Sequence, residues 1–130
     1  MLIELPWPSA TLSPNSRCHW RTKAGATKSA KNTAWVLAKE AMARAGVNPG
    51  AMSGPIVVSL MFHPKQNRQR DLDNCQAMMK AALDCIAQAL GVNDSMFRPV
   101  SMIGEKRDPA CVVVSLTPAL QSIPVIGKIS

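Results

Sequence analysis

The 130-residue chain lacks several features that would place it in other classes of protein. No apolar run approaches the roughly 18 residues that a membrane-spanning helix needs. Residues 1–8 have neither the basic start nor the long apolar segment of a signal peptide. The length suits a single domain. The sequence therefore predicts one cytoplasmic domain that makes no contact with a membrane.

The chain also lacks paired cysteines of the CxxC type. Its four cysteines are Cys18, Cys75, Cys85 and Cys111. Cys75 and Cys85 fall in one predicted helix, which holds them too far apart for a disulfide. We expect four reduced and mostly buried thiols, in preference to a zinc site or a disulfide framework.

Acidic residues are scarce, at eight against 15 lysines and arginines, which leaves a net charge of +7. Residues 1–50 hold seven of the basic residues and only two acids. Such a balance indicates a polyanionic partner, with nucleic acid first, although many small proteins are basic without a specific partner. Half of the acids are Asp71, Asp73, Asp84 and Asp94.

Hydrophobic periodicity and turn residues predict an α/β (α+β) fold in which two helices pack on a small mixed sheet. The expected order is β-α-β-α-β-β, followed by a loosely ordered tail at 117–130. The predicted elements are a strand from Leu2 to Leu5, a helix from Ala30 to Ala45, a strand from Pro55 to Phe62, a helix from Leu72 to Leu90, and strands from Val100 to Lys106 and from Cys111 to Leu116.

Three details of this prediction matter below. Residues 8–26 are rich in Pro, Ser, Asn and Gly and are expected to form a basic loop, with Thr27 or Ser29 capping the first helix. Helical spacing places Trp35, Ala38, Ala41, Met42 and Ala45 toward the core. The polar turn at 107–109 is expected to join the last two strands as a hairpin.

The most informative motif is RDLDN at residues 70–74, which sets Asp71 and Asp73 two apart at a helix start. In extended backbone such residues point to the same side, and close carboxylates repel unless a cation neutralises them. Oxygen ligands favour magnesium, with manganese as a substitute. Asp94 would join them if the chain turned back after the helix. The alternative is that the aspartates only cap the helix and occupy a turn.

Lys80 follows Asp73 by seven residues, which is two turns along the same face of an ideal helix. A lysine at this place can stabilise negative charge that builds up on a phosphate. The alternative is an ordinary surface ion pair between Lys80 and Asp84.

Taken together, these motifs resemble a known family. RDLDN at 70–74, KAALD at 80–84, GVNDS at 91–95 and the opening LPWPS at 5–9 are similar in type and order to the RusA-type Holliday-junction resolvases, a family common in phages and prophages. The resemblance covers about residues 2–116, so the predicted endonuclease domain is 1–116, and the tail at 117–130 has no counterpart. Two departures are Asn93-Asp94 in place of two adjacent aspartates, and a gap from Asp73 to Lys80 that is roughly one helical turn longer.

The resemblance implies a homodimeric, magnesium-dependent endodeoxyribonuclease that resolves four-way DNA junctions by paired nicks in recombination and repair. It implies that Asp71, Asp73 and Asp94 hold the metal and that Lys80 is the catalytic lysine. Two other hypotheses remain: a metal-dependent nuclease of different specificity, and a basic DNA-binding protein without catalysis.

Basic residues in the loops are expected to contact the phosphates of branched DNA. His19 and His63 are candidates for a general base, although a histidine that contacts DNA or is merely exposed is the more common case. The predicted DNA-binding residues are Arg17, His19, Arg21, Lys23, Lys65, Arg68 and Arg70.

Overall fold

The computed structural model of the chain describes residues 1–67 and 69–119, in which a four-stranded mixed sheet is combined with three α-helices. This confirms the mixed α+β class that the sequence predicts. The elements are β1 (Leu2–Pro6), α1 (Trp20–Ala45), β2 (Ile56–His63), α2 (Leu72–Met78), α3 (Lys80–Leu90), β3 (Phe97–Ile103) and β4 (Cys111–Pro118), with short 3-10 turns at Ala10–Leu12 and Asp94–Met96.

The sheet has the order β1-β4-β2-β3, and only the β2–β3 pair is parallel. The predicted hairpin between the last two strands is wrong, because β2 lies between β3 and β4. A strand that follows a helical crossover returns parallel to the strand before the crossover, and β3 does so beside β2. Residues 104–110 then carry the chain to the other side of β2, held by the amide of Arg107 donating to the carbonyl of Pro64 at 2.8 Å.

Burial alternates along β1 and β2, so one face of the sheet forms the core with the helices. Ile3, Leu60 and Phe62 are almost fully buried on this face. Strand alternation of this kind is the period-2 pattern of a half-covered sheet.

Helix α1 begins ten residues earlier than the sequence suggests, at Trp20 instead of Ala30. Its cap is His19, whose Nδ1 accepts from the amide of Arg21 at 3.1 Å, so neither Thr27 nor Ser29 is the cap. Seven of the 19 residues of the predicted basic loop, 20–26, thus form the first two turns of a helix. The helix ends as predicted at Gly46, which has a φ of 69° that favours glycine.

The core face of α1 is lined by Ala34, Ala38, Ala41 and Met42. The prediction for Trp35 and Ala45 is wrong, since both are exposed. Small side chains at the contact let α1 approach α3 closely, and the thiol of Cys85 donates to the carbonyl of Lys31 at 3.1 Å. A tryptophan would not fit at such a contact.

The predicted helix over 72–90 is two helices that meet at Met79. Met79 has φ −89° and ψ −2° and is buried, which ends α2 and starts α3 at Lys80. The two segments have different partners, since α2 packs against β3 and the first 3-10 turn and α3 packs against α1. The break at Met79 therefore lets α2 and α3 pack against different elements, which one straight helix would not allow.

At the end of the described chain, β4 continues through Thr117 and Pro118, which the sequence assigned to the tail. Residues 120–130 of the predicted tail lie outside the described residues. Within 1–67 and 69–119 the cysteines are free, and three of them are buried, as expected. No helix in these same ranges combines the length and apolar character of a membrane span.

Candidate functional site

A groove of about 430 Å³ lies where α2, the start of α3, the 3-10 turn at Asp94–Met96 and β3 meet. We call it the acidic groove, because three aspartates and one lysine supply its charged side chains. Its lining consists of Asp73, Gln76, Ala77, Lys80, Leu83, Asp84, Asp94, Phe97 and Pro99.

Asp94 reaches the acidic groove because the chain turns back after α3. Gly91 ends the helix with a φ of 72°, and a Cβ there would lie 2.9 Å from the backbone nitrogen of Gly50. Asn93 then starts the 3-10 turn by accepting from the amide of Ser95 at 2.9 Å. Asp94 therefore lines the same groove as Asp73, although 21 residues separate them in sequence.

Asp71 is positioned differently. It is the N-cap of α2, and its Oδ1 accepts from the amides of Asp73 at 3.0 Å and Asn74 at 3.3 Å. Since the helix begins at Leu72, Asp71 and Asp73 do not share a side as they would in extended backbone. Asp71 lines a neighbouring cleft, together with Arg70 and Asn74.

The donor chemistry of the acidic groove fits a hard divalent cation, because Asp73 and Asp94 offer carboxylate oxygens. Within residues 1–67 and 69–119, no three side chains of the Asp, Glu, His and Cys types are placed together closely enough to hold a metal ion. Two of the three predicted ligands thus share the groove, while Asp71 points its capping oxygen at the backbone of α2.

Lys80 lies in the acidic groove at the first position of α3 and pairs with Asp84. Its Nζ is 3.4 Å from both carboxylate oxygens, and the lysine side chain is 75% exposed. An exposed pair of this kind contributes about 0–1 kcal/mol, so Lys80 can leave Asp84 at little cost.

Two long-range hydrogen bonds hold α2 in place, and sequence patterns contain no signal for either. The hydroxyl of Ser101 on β3 donates to Oε1 of Gln76 at 2.6 Å, and that of Ser13 donates to Oδ1 of Asn74 at 2.8 Å. Because the Gln76 oxygen is engaged by Ser101, its amide nitrogen is left to donate. Gln76 is therefore an oriented hydrogen-bond donor on the wall of the acidic groove.

Most of the predicted DNA-binding residues lie near the start of α1 or the start of α2. Arg17, Arg21 and Lys23 are exposed, and His19 is occupied as the helix cap. Lys65 is exposed in the loop after β2, and Arg68 lies outside the described residues.

Arg70 and His63 are less free than the sequence suggests. The guanidinium of Arg70 lies 5.1 Å from the ring centre of Trp7, and its Nε is buried without a hydrogen-bond partner. His63 is buried, with Nδ1 2.8 Å from the carbonyl oxygen of Glu105, to which it donates. His63 does not line the acidic groove.

A second surface, which we call the basic stripe, runs along the exposed face of α1. It consists of Trp20, Lys23, Thr27, Lys28 and Lys31, which line one groove of about 580 Å³ with Ala24 and Asn32. A further groove is lined by Lys23, Thr27 and Lys31 on one side and by Lys80 and Asp84 on the other. The basic stripe is therefore continuous with the acidic groove.

Sequence reasoning missed Trp20, Lys28 and Lys31 as members of a surface. The signal was present as helical spacing from residue 20 to residue 31, and it was hidden by assigning residues 20–26 to a loop.

Burial raises the pKa of both buried helical thiols from their ordinary value. For Cys75 the Arg70 charge opposes the rise and Asp71 adds to it, and for Cys85 the Lys31 charge opposes it. A raised pKa disfavours the thiolate, so these two cysteines lack the environment of a nucleophilic thiol.

The fold and these two surfaces define a small α+β protein whose acidic groove opens onto a basic helix face. No family model matches the chain. The chain is 36% identical over 118 residues to an uncharacterized protein of Xylella fastidiosa (strain Temecula1 / ATCC 700964), a match that covers 88% of this chain and 74% of that protein. It belongs to the same family as that protein.

Proposed function

We propose that the protein is a magnesium-dependent endodeoxyribonuclease of the RusA type that cuts branched DNA. The observation that carries the proposal is the acidic groove, in which Asp73, Asp94 and Lys80 come together from three separate segments of the chain. They are two of the three aspartates that the family resemblance marks as metal ligands, Asp71 being the third, together with the lysine that it marks as catalytic.

In this proposal Asp73 and Asp94 would hold the magnesium ion, and Asp71 would join them from the neighbouring cleft through the carboxylate oxygen that does not cap α2. Bound magnesium lowers the pKa of a coordinated water and polarises a phosphate. Lys80 stabilises the negative charge that develops on the scissile phosphate. To do so it leaves Asp84, and the weak exposed pair makes that exchange inexpensive.

The proposal assigns phosphate contacts to the basic residues that the sequence predicts for DNA binding, namely Arg17, His19, Arg21, Lys23, Lys65, Arg68 and Arg70. Two nicks at symmetric positions of a four-way junction need two active sites. We therefore propose that the protein acts as a homodimer on branched DNA.

The decisive experiment measures cleavage of a labelled four-way junction in magnesium. Asp73→Asn should abolish cutting and preserve junction binding, because it removes one ligand charge from an exposed position. Glu40→Gln, an exposed acid on α1 outside both grooves, is the matched control and should cut normally. Equal cutting of a linear duplex would overturn the junction specificity, and cutting by Asp73→Asn would overturn the metal site.

A second candidate is a basic DNA-binding protein without catalysis. Two observations favour it: Asp71 is engaged as a helix cap, and Lys80 is paired with Asp84. In that case magnesium leaves the melting temperature unchanged. Under the nuclease proposal, magnesium binds the folded state and raises the melting temperature, and Asp73→Asn should remove this increase.

A further inference from the structure

The basic stripe contains an exposed tryptophan that the proposed cleavage chemistry does not use. Trp20 is 67% exposed, although the chain has only three tryptophans, two phenylalanines and no tyrosine. Both phenylalanines are buried. A chain with so few aromatic side chains thus presents one of its largest to solvent, at the first position of α1.

The charged side chains that line the groove beside Trp20 are all positive. The guanidinium of Arg21 lies 5.3 Å from the ring centre, and the groove beside Trp20 is lined by Lys23, Lys28 and Lys31. No aspartate or glutamate occurs between Arg17 and Lys39. An aromatic ring set in a row of lysines is the combination with which proteins bind unpaired nucleic-acid strands, because the ring stacks on a base and the lysines neutralise phosphates.

We propose that Trp20 stacks on an unpaired base of a DNA strand that follows the basic stripe. The continuity of the grooves gives the strand a direction, since Lys23 and Lys31 face Lys80 and Asp84 across a shared groove. The strand therefore leads from Trp20 along α1 to the acidic groove. This inference deepens the proposed nuclease function by naming the feature of the substrate that is recognised, namely an unpaired nucleotide next to the branch.

The test measures binding in EDTA, so that no cleavage takes place. Fluorescence anisotropy gives the affinities for a labelled oligothymidylate and for a blunt duplex of equal length. Trp20→Ala should weaken binding of the single strand at least about fivefold, because it removes one stacked base. It should change duplex binding less than about twofold, since phosphate contacts dominate there. Trp20→Phe should restore most of the single-strand affinity, because the ring is kept.

Trp35→Ala is the matched control. Trp35 is also exposed, on the same helix and beside a cation, since Lys39 lies 4.8 Å from its ring centre. It does not line the groove of the basic stripe and is about 22 Å away along the helix. Its removal should leave single-strand binding unchanged. Lys31→Gln should lower the salt dependence of single-strand binding by about 0.7 in the log–log slope, which Trp20→Ala should not alter.

Three results would overturn the inference: an unchanged affinity of Trp20→Ala for the single strand, an equal loss on the duplex, or an equal loss in Trp35→Ala. Circular dichroism should show that all variants keep the fold, and if the alanine variant unfolds, Trp20→Leu, which keeps apolar bulk without an aromatic ring, replaces it in the comparison with Trp20→Phe. If the protein binds the single strand through Trp20 but cuts no junction, this inference stands and the nuclease proposal is wrong. If the wild-type protein cuts junctions and Trp20→Ala binds the single strand normally, the nuclease proposal stands and the inference about Trp20 is wrong.

Discussion

The acidic groove and the basic stripe are adjacent, but they are assembled in different ways. The groove collects Asp73, Lys80 and Asp94 from two helices and a 3-10 turn, so it exists only when the tertiary fold is formed. The stripe is one face of α1, so the helix alone puts its side chains in a row. The groove carries opposite charges within a short distance, whereas the stripe carries one sign. We infer that the stripe attracts and aligns DNA, while the groove performs the chemistry.

The sharpest way to break this division is Lys80→Ala, because Lys80 lines the acidic groove and also the groove that connects it to the basic stripe. If Lys80 acts on the scissile phosphate, its removal should lower single-turnover cleavage of a junction by about 10²- to 10³-fold, as loss of a preorganised charge-stabilising donor does. Junction binding in EDTA should fall much less, since Lys80 is one of many positive charges. Cleavage at the wild-type rate would remove Lys80 from the catalytic set and assign it to the stripe.

Asp84→Asn is the companion variant, because it frees Lys80 from the ion pair with Asp84 without removing the lysine. Cleavage by this variant should stay within a few-fold of the wild type, given that an exposed pair contributes about 0–1 kcal/mol. A loss as large as that of Lys80→Ala would indicate that the pair itself is needed.

The contrast between the two surfaces also explains what the sequence predicts well. The mixed fold, the approximate positions of β1, β2 and β4, and the end of α1 at Gly46 follow from local periodicity and turn residues, and the structure bears them out. The third strand is predicted three residues too late, at 100–106, because it begins directly after the 3-10 turn at Asp94–Met96. The break at Met79 and the strand order do not, because packing of α2 on β3 and of α3 on α1 decides them. The position of β2 between β3 and β4 is a property of the whole sheet, and a polar turn between two strands does not reveal it.

The site divides in the same way. The RDLDN and ND motifs mark Asp73 and Asp94, and the shared groove agrees with that pairing. The motif alone does not distinguish the roles of Asp71 and Asp73. Because α2 starts at Leu72, between the two aspartates, their side chains point to different sides. Gln76 and Ser101 pair across a distance of 25 residues, and no local pattern encodes such a contact.

Asp71 is where the capping role and the proposed metal role coincide, and two substitutions separate them. Asp71→Ala removes the hydrogen bonds to the amides of Asp73 and Asn74 and should lower the free energy of unfolding by about 0.5–2 kcal/mol. Asp71→Asn keeps a capping oxygen and should be nearly as stable as the wild type. Urea denaturation measures both.

If Asp71 is also a ligand, Asp71→Asn should still lose cleavage about tenfold or more, as loss of metal-site support does. Normal cleavage by Asp71→Asn would leave Asp71 as a cap only. The acidic groove would then rest on Asp73 and Asp94 alone.

The smallest expected effect is a pH dependence of the free energy of unfolding that arises from Cys85, which packs beneath the basic stripe at Lys31. Burial raises the pKa of its thiol above the ordinary value of 9.0, and the charge of Lys31 opposes that rise. The thiol also donates to the carbonyl of Lys31, a hydrogen bond that the thiolate would lose. The folded state therefore holds the thiol proton more tightly than the unfolded chain does. The contribution of this proton to the free energy of unfolding is complete below the pKa of the unfolded chain, and it is lost as pH rises through the pKa of the folded state.

The free energy of unfolding should therefore fall between about pH 8 and pH 10, and it should fall less steeply in Cys85→Ala. Cys18→Ala is the control, because Cys18 is only partly buried and lies outside the contact between α1 and α3. Lys31→Gln should steepen the fall in a chain that retains Cys85, because the charge opposing the pKa rise is gone. If the free energy of unfolding falls with pH equally steeply in the wild type and in Cys85→Ala, the α1–α3 contact opens enough to hydrate the thiol. Helix α1, which carries the basic stripe, would then be less rigid than its packing against α3 indicates.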